Sequence, residues 1–337
     1  MYLTDEEKAM RDGFEGPAVA AAMDLLLRYG AALDASRLCD IRNVAGTMTQ
    51  PSPVKARLVK EHGWDKAFAV INLDSDGDFA VPPMAVPTCQ LQHGFGDDAR
   101  DVVPYPKQNI ELQASAEAFY GRHGVNILAT CTPYQVGNLP LRGEHCAWME
   151  SSAVIYANSV LGARTNCEGI ASTGAAALTG KIPCWGNHLD SNRYGTHLVR
   201  VDAAVDSFQD WGMLGYFAGG VAGEDRPVIT GSFSRPDLTD LKHFGAAAAT
   251  SGGVELYHIP GITPEAASVE AAFGAGRSVP SAAVYGPAER RAVYETLNEI
   301  GDSTDVDFVL LGCPHASVDQ MRRTAAALDG KRLSPST

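Results

Sequence analysis

Two of the seven cysteines stand where a chemically active side chain is expected. Cys131 follows the apolar run 125–130, and Cys313 follows the apolar run 307–311 and Gly312. Each thiol therefore comes after a predicted β-strand. Ligands of open α/β sheets gather beyond the carboxyl ends of the strands. Both cysteines are predicted to face a ligand site, either as metal ligands or as catalytic thiols.

The remaining cysteines carry a weaker signal. The total is odd, the positions are widely spread and no CxxC spacing occurs. In a reducing compartment this pattern argues against a disulfide framework and favours small buried side chains. These five residues are Cys39, Cys89, Cys146, Cys167 and Cys184.

The segment 137–192 is denser in polar residues than a purely structural segment requires. Buried polar side chains must find partners, so such a concentration among Ala, Val and Gly favours a ligand surface. Helix caps and turns remain the alternative for 162–166 and for 187–193. The residues predicted to be catalytic are Glu150 and His145. Those predicted to contact the substrate are Ser151, Ser152, Asn158, Arg164, Thr165, Asn166 and His188.

The elements that must position these residues alternate between helices and short apolar strands. A capping box at Thr4 and Glu7 begins a helix, and a second helix runs from Pro17 to Gly30. Further helices are predicted at 107–123, 146–161, 168–179, after Pro287 and at 317–328. Strands are predicted at 67–73, 125–130, 196–205, 254–259 and 307–311.

This alternation predicts an α/β fold with largely parallel sheets covered by helices. A helical and irregular lobe is predicted at 1–106, and an α/β catalytic region that carries the motifs is predicted at 107–337.

The overall charge excludes some classes of partner. The formal net charge is −13 and the pI is about 5.1, with no Lys/Arg cluster to neutralise phosphates, so nucleic acid is not an expected partner. The sequence has no run of 18 apolar residues, and its first residues are acidic where a signal peptide is basic. The sequence therefore predicts a cytoplasmic protein without a membrane partner.

The run from Gly143 to Asn166 resembles the central signature of aconitase X large subunits. Supporting similarities lie at 131–134, 188–190, 210–216, 261–266 and 311–315. The resemblance extends from Met1 to about Lys331 and is poor at 82–105.

The resemblance implies an aconitase-like fold and a dehydratase that acts on a small hydroxy acid such as cis-3-hydroxy-L-proline or mevalonate 5-phosphate. It implies an iron-sulfur cluster or mononuclear iron bound by Cys131 and Cys313, with a third cysteine ligand in a segment beyond Thr337. Iron with an open position acts as a Lewis acid on the departing hydroxyl. Arg164 suits bidentate binding of a carboxylate or phosphate.

The resemblance also implies a partner. A small swivelling subunit, which supplies a catalytic serine, is expected as a separate chain, and the large chain alone is expected to be inactive. Two other hypotheses remain open. In one, Cys131 and Cys313 are a metal-free thiol pair of a racemase or epimerase. In the other, the chain is a non-catalytic large subunit that binds a substrate or a partner.

Overall fold

A computed structural model describes residues 1–96, 104–298, 301 and 309–332. Within them the chain forms twelve α-helices and nine strands in three sheets. The predicted α/β class is confirmed.

The helices are α1 Asp5–Arg11, α2 Pro17–Ala32, α3 Pro53–His62, α4 Trp64–Leu73, α5 Lys107–Arg122, α6 Ser151–Tyr156, α7 Ile170–Thr179, α8 Phe208–Ala222, α9 Leu238–Gly252, α10 Val269–Phe273, α11 Pro287–Leu297 and α12 Val318–Leu328. The strands are β1 Leu38–Asp40, β2 Val44–Met48, β3 Thr88–Gln92, β4 Val125–Asn126, β5 Ala147–Trp148, β6 Lys181–Pro183, β7 His197–Val201, β8 Pro227–Gly231 and β9 Ala282–Tyr285.

The central sheet has the order β4-β3-β2-β5, and every pair in it is parallel. Bridges from His145 to Arg164 and from Trp148 to Cys167 add the segment 164–167 beyond β5, in the same direction. Helix α7 packs on β2, where a Cβ at Gly46 would overlap the side chain of Thr173. All these strands therefore end at one edge of the sheet, which we call the carboxyl edge.

A second parallel sheet has the order β8-β7-β9 and packs against α8 and α9. The core between them includes Trp211, Phe244 and Tyr257, which are almost fully buried. Helix α9 also packs against α6, which follows the central sheet in sequence.

The short strands β1 and β6 pair antiparallel. Cys39 in β1 is disulfide-bonded to Cys184, which follows β6, across a Cα–Cα distance of 5.2 Å. This differs from the expectation that both cysteines are free. The two strands are 145 residues apart in sequence, so spacing did not reveal their pairing.

Several predicted elements differ in type or extent. The predicted strand at 67–73 is the helix α4, which begins after Gly63 and ends at Asp74, a residue with φ +46°. Its buried residues include Phe68, Ala69, Asn72 and Leu73, which recur four apart as one face of a helix requires. Because the run is short and apolar, its composition did not distinguish helix from strand.

Other elements are shorter than predicted. The helix predicted at 146–161 begins at Ser151 and ends in wider π-type turns over Ala157–Leu161, because Ala147 and Trp148 belong to β5. Only Val125 and Asn126 of the run 125–130 form a strand. The segment 254–259 makes one isolated bridge, from His258 to Val228. The predicted strand at 307–311 begins outside the described residues, and 309–311 are exposed without strand pairing.

The capping box at Thr4 and Glu7 is confirmed. The division of the chain near residue 106 stays a prediction, although β2 and β3 from before it pair with β4 and β5 from after it. No helix in the described part of the chain is long and apolar enough to cross a membrane.

Candidate functional site

Cys131 lies at the carboxyl edge and contacts a distant segment of the chain. Its Sγ accepts the backbone N–H of His315 at 3.1 Å, and its own N–H donates to Nδ1 of His315 at 3.2 Å. Cys131 is buried, whereas Cys313, two residues before His315, is exposed. The two cysteines that were predicted to share a site therefore belong to segments in direct contact.

A buried lysine on α9 holds this contact in place. Lys242 Nζ donates to the carbonyl oxygen of His315 at 2.5 Å and to Oε1 of Gln320 at 3.1 Å. The same Gln320 oxygen accepts the N–H of Ser317 at the start of α12. Lys242 thus fixes the segment that carries Cys313 against Cys131. Sequence reasoning missed this residue because nothing near it in sequence belongs to the site.

Glu150 follows β5 and also reaches the carboxyl edge. It accepts the hydroxyl of Ser152 at 3.4 Å. Burial raises the pKa of Cys131, and the charge of Glu150 raises it further. Burial likewise raises the pKa of Cys167 to about 11, with contributions from Glu255 and Glu150. Glu150 is therefore near enough to both thiols for its charge to act on them.

A histidine–glutamate pair completes this edge, and the sequence did not indicate it. His93 Nδ1 lies 3.3 Å from Oε1 of Glu117. Oε1 of Glu117 also lies 3.4 Å from Nε2 of Gln90 and 3.5 Å from Oγ1 of Thr49. These bonds hold the Glu117 carboxylate, which in turn orients the His93 ring.

His93 directly follows β3, which ends at Gln92, so it lies at the carboxyl edge of the sheet. Burial and Lys242 lower the pKa of His315, and the charge of His93 contributes. A histidine that directly follows a strand could have been predicted as a site residue, but β3 itself was not predicted. It lies in the Pro- and Gly-rich stretch 43–106, in which only the run 67–73 was predicted to be a strand.

The second predicted catalytic residue, His145, lies elsewhere. It is five residues before Glu150 along an extended segment, so about 16 Å separates them at about 3.3 Å per residue. Its Nδ1 lies 2.8 Å from Nδ1 of His188. Arg164 donates to the carbonyl of His188 at 3.1 Å and is paired with the exposed Asp190.

His145, Arg164 and His188 therefore form a cluster at the opposite, amino-terminal edge of the sheet. Arg164 was predicted to contact the substrate together with Ser151 and Ser152. The parallel strands place Arg164 level with His145, before β5, whereas the two serines follow β5 at the start of α6. Ser151 is exposed and Ser152 is buried beside Glu150.

The remaining predicted substrate residues use their side chains on the backbone. Asn158 donates to the carbonyls of Thr165 and Glu255 and accepts the N–H of Thr165. The hydroxyl of Thr165 donates to the carbonyl of Asn166. Asn166 accepts the N–H of Asn187 at 2.7 Å. These contacts fix the loops around the sheet, which accounts for the polar residues without a ligand.

The donor set for a metal ion is incomplete within the described residues. They contain no group of three or more His, Cys, Asp and Glu side chains that could hold a metal ion. Cys131 and the segment of Cys313 supply two thiols, a donor type that suits iron. Burial opposes ionisation of Cys131, and a bound cation would favour it.

Comparisons with known proteins agree in one family. Residues 1–191 match the aconitase X first domain and residues 195–295 match the aconitase X second domain. A phosphomevalonate dehydratase large subunit of Thermococcus kodakarensis is 36% identical over 329 residues, which are 97% of this chain and 77% of that protein. A cis-3-hydroxy-L-proline dehydratase of Hypocrea jecorina is 34% identical over 339 residues, 98% of this chain and 53% of that protein.

A solved structure gives the same result. The holo-form crystal structure of Thermococcus kodakaraensis aconitase X superposes with a TM-score of 0.79 at 34% identity. The match covers 97% of this chain and 77% of that one. The predicted aconitase-like fold is therefore confirmed.

Proposed function

The chain belongs to the aconitase X family and is a hydro-lyase of that type, and we propose that it is the large subunit of an iron-dependent dehydratase that acts on a small hydroxy acid with a separate small subunit. The observation that carries this proposal is the contact between Cys131 and His315 at the carboxyl edge, which brings in the Cys313 segment. Iron, when bound by the two cysteines, supplies a Lewis acid for the departing hydroxyl.

The described residues suggest how the protons move. Glu150 takes the proton from the carbon next to the substrate carboxylate, because it follows β5 at the carboxyl edge and its charge acts on Cys131. His93, which Glu117 orients, gives a proton to the departing hydroxyl. One C–H and one C–O bond break, a carbon–carbon double bond forms, and water leaves.

The properties of the Cys131 thiol support a metal-dependent dehydratase rather than a two-thiol racemase. A thiol base must lose its proton readily, and such cysteines have a lowered pKa. Burial instead raises the pKa of Cys131. A thiol that binds a metal ion can have a raised pKa in the metal-free protein, because the bound cation itself stabilises the thiolate.

A small partner subunit is supported by two observations. The Thermococcus kodakarensis and Methanothermobacter thermautotrophicus relatives are named large subunits. In addition, Leu310, Leu311, Val318 and Met321 expose apolar side chains next to Cys313. An exposed apolar surface of this kind is typical of an interface.

The test is anaerobic co-expression with the partner subunit, followed by iron and sulfide analysis. Dehydration of cis-3-hydroxy-L-proline and of mevalonate 5-phosphate is assayed on the same preparation. Cys131→Ser and Cys313→Ser should lose most of the iron, whereas Cys146→Ala, at a fully buried position away from the edge, should keep it. Full iron occupancy in Cys131→Ser would refute the metal site, and activity of the chain alone at the rate of the complex would refute the need for a partner.

A further inference from the structure

Gln90 lies on β3 beneath the carboxyl edge, and its side chain is completely buried, at 0% exposure. A buried amide needs hydrogen-bond partners at both of its ends. The two ends differ in chemistry, because the oxygen only accepts hydrogen bonds and the nitrogen only donates them. In this chain each end of the amide contacts a different part of the candidate site.

The oxygen end of Gln90 holds the segment that carries Cys131. Oε1 of Gln90 accepts the backbone N–H of Ala129 at 3.0 Å. Ala129 has φ +49°, a left-handed conformation that is unfavourable for a residue with a Cβ and persists only where the surroundings fix it. It lies between the end of β4 at Asn126 and Cys131. The hydrogen bond therefore stabilises the backbone conformation that leads to Cys131 and to its contact with His315.

The nitrogen end of Gln90 holds the Glu117 carboxylate. Nε2 of Gln90 lies 3.4 Å from Oε1 of Glu117 and also donates to Oγ1 of Thr49. The Thr49 hydroxyl in turn lies 3.5 Å from the same carboxylate oxygen. His93 contacts this oxygen through Nδ1 at 3.3 Å. The Gln90 amide thus belongs to the group of donors that fix the carboxylate that orients His93.

We propose that Gln90 is a positioning residue that fixes Cys131 and the pair of His93 and Glu117 relative to each other. The inference rests on the proposed dehydration, in which Cys131 binds iron and His93 gives a proton to the departing hydroxyl. Both groups must reach the same hydroxyl, so their separation has to be held to within about 0.5 Å. One amide that bonds to both segments fixes this separation directly, whereas the ladder between β3 and β4 ends at Asn126.

Two substitutions separate the two ends of the amide. Gln90→Met removes the acceptor and the donor and keeps the length of the side chain. Gln90→Glu keeps an oxygen for the N–H of Ala129 but places a carboxyl where the amide nitrogen faced Glu117. Asn43→Leu is the matched control. Asn43 is also a buried amide of this sheet, but it lies at the amino-terminal edge, where its Oδ1 accepts the indole N–H of Trp148 at 2.7 Å.

The first measurement follows the thiol of Cys131 and needs neither iron nor turnover. The co-expressed complex, freed of metal with a chelator, is treated with iodoacetamide, and alkylation of each cysteine is followed by mass spectrometry. Gln90→Met should raise the rate at Cys131 by about tenfold, because loss of the hydrogen bond to Ala129 lets the segment open more often. Gln90→Glu and Asn43→Leu should keep the wild-type rate. Cys146, which is completely buried, reports in the same samples whether the variant has kept its fold.

The second measurement is the kcat of the iron-loaded complex at pH 6 and pH 8, with the substrate that the wild type dehydrates. The carboxyl introduced by Gln90→Glu faces Glu117, Thr49 and the N–H of Ala129, with His93 beyond Glu117. At pH 8 this variant should lower kcat by about tenfold with little change in KM, because two adjacent carboxylates repel each other. At pH 6 the loss should be smaller, because a protonated carboxyl can still donate a hydrogen bond.

Asn43→Leu should keep the wild-type kcat at both pH values, since its amide lies at the other edge of the sheet. An unchanged alkylation rate at Cys131 in Gln90→Met, with Cys146 still protected, would overturn the proposal. A kcat of Gln90→Glu equal to that of the wild type at pH 8 would overturn it as well. If Cys146 loses its protection in Gln90→Met, the kcat of Gln90→Glu decides. If the wild-type complex dehydrates neither substrate, the dehydratase proposal fails, and the alkylation rates alone decide whether Gln90 positions Cys131.

Discussion

Replacing Glu168 by Gln should stabilise the chain, and the gain should depend on pH. The variant keeps the size of the side chain and removes its ionisation. The pKa of Glu168 is raised from 4.5 to about 7 in the folded chain. Each pKa unit corresponds to about 1.4 kcal/mol, so ionisation of Glu168 destabilises the ligand-free chain by about 3 kcal/mol above pH 7. The group is almost fully buried, so solvent screening does not reduce this figure much.

The direction of the pH dependence of the unfolding free energy follows from proton binding. Between pH 4.5 and 7 the folded chain holds a proton on Glu168 that the unfolded chain has lost, so the free energy of unfolding falls as pH rises. Below pH 4.5 both states are protonated and the contribution is constant. The difference between Glu168→Gln and wild type should therefore grow by about 3 kcal/mol from pH 4.5 to pH 8.

Urea unfolding at several pH values, without ligand, measures this difference. Glu224→Gln is the matched control, because its side chain is exposed, and its difference from wild type should not change with pH. A difference between Glu168→Gln and wild type that stays constant from pH 5 to pH 8 would show that burial does not raise the pKa of Glu168.

Three further substitutions test other parts of the structure. His93→Asn in the complex should lower kcat by about 10²- to 10⁴-fold with little change in KM, as expected for loss of an acid–base group. Glu117→Gln should lower kcat less. An unchanged kcat in His93→Asn would exclude His93 as the proton donor to the departing hydroxyl. Arg193→Lys should cost about 3–5 kcal/mol in urea unfolding. Lys cannot at once replace the Nε–H contact with the Glu265 carboxylate and the buried bonds of both terminal guanidinium nitrogens to backbone carbonyls. Gly46→Ala should lower the melting temperature by several degrees, since its Cβ overlaps a side chain of α7; a neutral result would mean that β2 and α7 pack less closely than described.

The fold class could be predicted because its signals are local. Capping residues, Pro at helix starts and Gly at helix ends predicted α1, α2, α5, α7, α11 and α12 at nearly their observed positions. Strands β1, β2, β3, β5, β6, β8 and β9 were missed. They are two to five residues long. Strands β2, β3 and β5 are also buried in a parallel sheet, where strands lack the alternation of polar and apolar residues that marks a half-exposed strand.

The candidate site was predicted in part, for a different reason. Cys131 and Cys313 each follow an apolar segment, and the rule for parallel sheets placed them at one edge. Glu150 was predicted from the density of polar residues at 137–192, within a segment that was expected to be helical. His145 and Arg164 were grouped with them because they are near in sequence. Strand direction separates them, since His145 precedes β5 and Glu150 follows it. Lys242 and His93 come from distant segments, so only the fold brings them to the site.

Glu168 lowers the stability of the ligand-free chain, because burial raises the pKa of its carboxyl to about 7 and the hydroxyls of Ser172 and Tyr29 lower it only in part. A sequence optimised only for folding would carry Gln or an apolar residue there. Such a cost is typical of functional sites, where groups are arranged for a ligand rather than for the free protein. Glu168→Gln should therefore stabilise the free chain, and its effect on dehydration by the co-expressed complex decides between a functional and a structural role. A loss of turnover would assign Glu168 to the site, whereas unchanged turnover would show that its role is structural.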